Sequence, residues 1–236
     1  MQTSNVRFID DHNISCDTIF TSFLYDTRSR VWDFMQTNIN NVMRKNKNMG
    51  QNNLIQQKLM EDSIKQEIEQ TLSLRAKRYL KVKPHGITPH TQFAPASLEC
   101  ALLFRDGYYY GCITLVQSVA ETIARFLCQK NSWKPEKKFE NNIERLLNRH
   151  FISEKLKNKF LKIWENRDDY HHLDINIEVQ KTKLEEISYE KVLLLKEIES
   201  EIFKFSLSKD GKLIPENKKY WELSENGTKP VFLKLG

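Results

Sequence analysis

Glycine and proline are scarce in this chain, seven and six among 236 residues, and that disfavours a turn-rich β architecture. Cysteine is scarce as well. Cys16, Cys100, Cys112 and Cys128 form no C-x-x-C pair, which argues against a zinc set or a disulfide framework and for reduced core residues. The sequence shows no apolar run approaching membrane-spanning length. Met1 to Asp11 has no basic region followed by an apolar block. The expectation is therefore a cytoplasmic protein without a membrane partner. Asn13-Ile14-Ser15 and Asn226-Gly227-Thr228 match a glycosylation triplet, which carries little weight without a secretion signal.

What is present fits a helical protein large enough to bury a core, with 39% hydrophobic and 29% charged residues. The net charge of +6 is compatible with a polyanionic partner and does not establish one.

Along the chain, Val6 to Ile9 reads as a short strand. Ile19, Phe23, Val31, Phe34 and Val42 predict a long or broken helix from Asp17 to Asn46. Asn46 to Asn53, with Gly50, reads as a connection. A second helix follows to about Lys81, through Leu54, Leu59, Ile64, Ile68 and Leu72. Lys83 to Ala96 holds Pro84, Gly86, Pro89 and Pro95 and reads as a loop. It marks a boundary between an N-terminal helical extension, 1–96, and a second domain, 97–206. His85 and His90 in that loop, with Cys100, match no metal-ligand spacing, so no metal is expected.

Ser97 is a candidate N-cap for a short helix, Leu98 to Phe104, leading to Gly107. The most apolar segment follows: Cys112, Leu115, Val116, Val119, Ile123, Phe126 and Leu127 predict a central helix. Glu121 and Arg125 lie on its remaining stripe, either at solvent or bordering a cleft. Pro135 precedes a helix through Phe139, Ile143, Leu146 and Leu147, and Ser153 is placed to cap the next. Lys134 to Lys162 is markedly basic, which suits phosphate contacts or a solvated face. Thr182-Lys183-Leu184-Glu185 fits a capping box opening a long helix to about Phe205. The chain from Ser97 thus reads as an all-α, up-down four-helix bundle. In the C-terminal tail, 207–236, Lys209-Asp210-Gly211 has hairpin-turn composition.

One stretch breaks these patterns. Leu156, Phe160, Ile163 and Trp164 form an apolar helical stripe whose continuation falls on Arg167 and His171. A guanidinium on a core-facing stripe is costly unless it is paired or lines a cleft. Arg167-Asp168-Asp169-Tyr170-His171-His172 is an Arg-x4-His pattern with an acidic residue after the arginine.

That pattern, near the end of the third helix of a four-helix bundle, resembles the HEPN superfamily over roughly residues 97–206. The resemblance implies a metal-independent endoribonuclease, without cofactor, that works as a homodimer. It implies a toxin or antiviral defence effector, with RNA as substrate and a regulatory protein or antitoxin as a further partner. On it Arg167 matches the family arginine, Asp168 the polar residue that follows, and His172 the family histidine. His171 competes, because at i+4 it shares a helix face with Arg167. Positions 167 and 172 lie roughly 140° apart around a helix, so a composite site would need a second copy. Leu173-Asp174 stands where some HEPN toxins carry a modifiable tyrosine, which leaves that form of control unsupported. Two other readings remain open: a non-catalytic nucleotide- or RNA-binding dimerisation module, and a structural helix end in which Asp168 and Asp169 pair with Arg167.

Overall fold

The structure, a computed structural model, describes residues 49–175, 177–221 and 230–234. The strand expected at Val6 to Ile9, the helix expected from Asp17 to Asn46, and Cys16 lie outside the described residues. The chain divides into two compact units, Met1–Gln70 and Thr71–Gly236. Helix α1, Met49–Val82, runs through the boundary. It starts earlier than the sequence suggests: Gly50 lies in its first turn, where amide groups need no intrahelical partner and glycine's cost is low. Leu54, Leu59, Ile64, Ile68 and Leu72 are exposed, whereas Val82 at the other end is buried.

The second unit is mostly helical with short strands. Its helices are α2 (Ala94–Asp106), α3 (Tyr109–Lys130), α4 (Phe139–Asn148), α5 (Glu154–Trp164), α6 (Arg167–His172) and α7 (Lys181–Ile202). Helix α3 is central and packs on α2, α4, α5, α6 and α7. Cys112, Ile113, Val116, Ala120, Ile123, Ala124 and Leu127 on it are each fully buried, as the apolar arc requires. Among the described residues, α3 is long and apolar enough to cross a membrane by length and composition, contrary to the expectation that no run approaches that length. In the fold that apolar surface faces other helices.

Several local expectations hold. Ser153 Oγ accepts from the Leu156 amide at 3.1 Å and caps α5. Gly107 closes α2 in the left-handed conformation, φ 83°. Strands β2 (Phe205–Leu207) and β3 (Leu213–Pro215) form a hairpin turned at Gly211, φ 73°. Cys100, Cys112 and Cys128 are buried free thiols.

Others do not. Helix α2 starts at Ala94 with Pro95 in its first turn, where proline's missing amide costs nothing, so Ser97 is not its cap. The supposed loop contains β1 (Ile87–Pro89), paired antiparallel with β4 (Val231–Leu233) of the tail. The capping box at Thr182 does not form, because α7 begins after Gln180 without a side-chain cap. Glu185 instead takes Arg78 Nη2 at 3.0 Å and the Tyr109 hydroxyl.

Ser97 has a different partner. Lys234 Nζ lies 2.6 Å from Ser97 Oγ and 2.6 Å from Glu199 Oε2, with both charged side chains essentially inaccessible to solvent. A buried pair of this kind is costly to break from one side. Lys234→Met should destabilise the protein by about 3–5 kcal/mol, and adding Glu199→Leu should recover most of that loss. Denaturant unfolding of the two variants checks both outcomes.

Candidate active site

The polar stretch does not continue α5. That helix ends at Trp164, Glu165 leaves the helical region, and Asn166 is left-handed at φ 57°, a conformation asparagine tolerates. Arg167 to His172 then form a separate short helix, α6, closed by Leu173 at φ 52°. The expectation that Arg167 and His171 extend the stripe of α5 into the core is therefore corrected. Tyr170 takes the inward position of α6, 4% exposed and against the Tyr110 ring.

The break has a physical cause in two buried side chains. Lys191 Nζ, on α7, donates to the carbonyls of Lys162 at 3.3 Å, Ile163 at 2.5 Å and Glu165 at 3.0 Å. Gln117 Nε2, on α3, donates to Ile163 O at 3.1 Å and Glu165 O at 3.2 Å. A continuous helix would offer those carbonyls to the amides of 166, 167 and 169. A cation is favourable at a helix C-terminus, where it meets the negative end of the dipole. Burial lowers the Lys191 pKa from 10.5 to about 8.

On α6, the Arg167 guanidinium lies over the Trp164 ring at 5.0 Å, and its Nη1 is 2.9 Å from Asp168 Oδ1. The Trp164 ring in turn stacks on Phe139 at 4.2 Å. Arg167 Nε and His171 Nε2 are both buried without a hydrogen-bond partner. Burial lowers the pKa of His171, and the charges of Arg167 and His172 push the same way; Glu121 and Asp168 oppose them. Glu121 thus acts on the site from α3 while pairing with Arg125 at 2.7 Å. Asp168, Asp169 and His172 are exposed. The fold brings Arg167, Asp168 and His171 together beside Glu121, and leaves His172 at solvent on the same short helix.

The basic span from Lys134 to Lys162 is partly neutralised. Arg145 pairs with Glu136 at 2.8 Å, Lys157 with Glu144 at 2.9 Å, Lys159 with Glu197 at 3.1 Å, and Lys162 with Glu190. Lys134, Lys137, Lys138, Arg149 and Lys155 remain exposed. Among the described residues no group of three His, Cys, Asp or Glu could hold a metal ion. His85 instead contacts Ser200 Oγ through Nδ1 at 3.2 Å.

Sequence reasoning missed Lys191 and the role of Gln117. A signal was present: Lys191 falls on the buried spacing of Leu184, Ser188, Leu195, Ile198 and Ile202, as Arg167 falls on the stripe of α5.

No protein-family model, curated protein or solved structure matches this chain.

Neutral imidazole beside a fixed guanidinium is an arrangement that can accept a proton near an anion. The lowered pKa also has a thermodynamic consequence. Below 6.5 the unfolded chain takes up the His171 proton before the folded one, so stability falls with pH through the window from 6.5 down to the folded value. His85, lowered by burial too, adds to the same slope. Acidification from about pH 7.5 to 5.5 should lower the urea midpoint of the wild type more than that of His171→Gln.

Proposed function

We propose that the protein is a HEPN-like, metal-independent endoribonuclease acting as a homodimer, with Arg167, His171, His172 and Asp168 as its site. The observation that carries this reading is that Arg167 and His171, which interact electrostatically on one short helix, each have a buried nitrogen without a hydrogen-bond partner. On this reading the central α3, the basic α4, the motif-bearing α5 and the closing α7 are the four members of an up-down bundle within 97–206. Residues 1–96 are its extension and 207–236 its tail. The protein works in the cytoplasm, as a toxin or antiviral effector, with RNA as substrate and a regulatory protein or antitoxin as a further partner.

The chemistry follows from the residue types. A neutral histidine takes the proton of an RNA 2′-hydroxyl, and the freed oxygen attacks the adjacent phosphorus. The bond from phosphorus to the 5′-oxygen breaks, and a protonated histidine supplies that oxygen's proton. The products are a 2′,3′-cyclic phosphate and a 5′-hydroxyl. Arg167 offsets the charge that develops on the phosphoryl oxygens, and Asp168 orients its guanidinium. His171, on whose ring the Arg167 charge acts within one subunit, is the proton acceptor of this reading. His172, exposed and matched by the family pattern, serves a groove shared with a second copy.

A second reading rests on the Arg167–Asp168 pair and the Trp164 ring, which already engage the guanidinium. In it the elbow holds a nucleotide phosphate without cleaving anything.

Purified protein incubated with RNA and EDTA should yield fragments ending in cyclic phosphate. Arg167→Ala and His172→Ala should each slow cleavage by about a hundredfold or more. RNA left intact by the wild type but bound through Arg167 would favour the second reading. Equal cleavage by all variants would identify a contaminating nuclease.

A further inference from the structure

On the reading just proposed, Arg167 and the histidines work only if α6 is held at one angle to α5. The atoms that set this angle belong to neither helix. We propose that Lys191 and Gln117 are positioning residues of the site: by tying off the last carbonyls of α5 they force the Asn166 elbow and aim Arg167 and His171.

The hydrogen bonds support this directly. The carbonyls of Lys162, Ile163 and Glu165 are three of the four acceptors that a helix continuing through residues 166–169 would need, and Lys191 and Gln117 occupy those three. With those acceptors taken, the next helical bond runs from the Tyr170 amide to the Asn166 carbonyl at 3.3 Å, inside a new helix. Without the tie-off, α5 would run on and turn Arg167 and His171 toward the face of Ile163, which is fully buried. Neither Lys191 nor Gln117 can touch a substrate from its place, since they are 5% and 0% exposed. Their effect on chemistry must pass through α6.

Lys191 also gives the site a dependence on alkaline pH. The charged groups acting on its ammonium are Glu165 from the elbow, Glu190 on its own helix and Lys162 from α5. Loss of its proton near pH 8 removes one of three donors that serve three carbonyls. Cleavage should therefore decline above that pH, and the decline should be absent from a variant at position 191.

The test compares wild type, Lys191→Met and Gln117→Leu. Circular dichroism and thermal unfolding report folding, and proton NMR of the imidazoles reports His171, assigned by a His171→Gln control. In folded variants the His171 titration should move up toward 6.5 as the ring gains water. Cleavage should lose about tenfold or more in kcat with KM little changed. If Lys191→Met does not fold, Gln117→Leu, which leaves the three lysine bonds intact, decides. Folded variants in which His171 titrates as in the wild type would overturn the assignment. If wild type leaves RNA intact, the proposed reaction falls, while the His171 titration still decides the positioning role.

Discussion

A helix end buried in a protein leaves carbonyls that must find donors, and here that requirement organises one side of the second unit. The last turn of α5 lies against α3 and α7. Lys191 and Gln117 supply the donors, and everything beyond follows from their doing so. The chain cannot continue as helix, asparagine takes the left-handed position, and α6 starts afresh with Tyr170 as its inward anchor. Arg167 is lifted onto the Trp164 ring instead of being driven into the core. One buried ammonium thereby decides where a second cation is displayed.

The same device recurs along α7. Glu185 near its start receives Arg78 and Tyr109, Lys191 in its middle receives the end of α5, and Glu199 near its end receives Lys234. Three charged positions on a helix that otherwise buries aliphatic residues and Ser188 each hold a different segment of chain. Displacing such a segment would leave a charge without its partner, at a cost that is highest for the buried Lys191 and Glu199. The arrangement trades some stability for a defined register of α1, α5 and β4 against α7.

Periodicity reveals what periodicity builds. The apolar arc of α3, the Ser153 cap, the Gly107 stop and the hairpin at Gly211 were legible because each depends on neighbours in sequence. The start of α2 lies before Ser97 because Pro95, a residue of loop character, also suits a first helical turn. The capping box at Thr182 was a local pattern overruled by a distant arginine. Most instructive is α5, whose stripe continues across a break. The residues that end it, 117 and 191, lie 46 or more positions from the carbonyls of Ile163 and Glu165 in one case and 26 to 29 in the other. No local signal separates a helix that continues from one cut off by such a donor.

The unpartnered atoms of the elbow are the remaining clue to its purpose. Arg167 Nε and His171 Nε2 are both buried without a hydrogen bond. Each such group costs about 1–3 kcal/mol. A helix end that served structure alone would gain by replacing them: leucine at 171 or methionine at 167 would fill the same space and leave nothing unsatisfied. The same elbow meanwhile satisfies its backbone with care, through a buried lysine and a buried amide. Strict satisfaction of the frame combined with orphaned side chains on the surface it presents is the pattern expected where a ligand's oxygens or a second subunit complete the set. On the reading proposed above, a phosphate would bring acceptors to the guanidinium and a 2′-hydroxyl would bring a donor to the imidazole. On that reading the polar stretch that interrupts the apolar stripe is half of a site rather than the end of a helix.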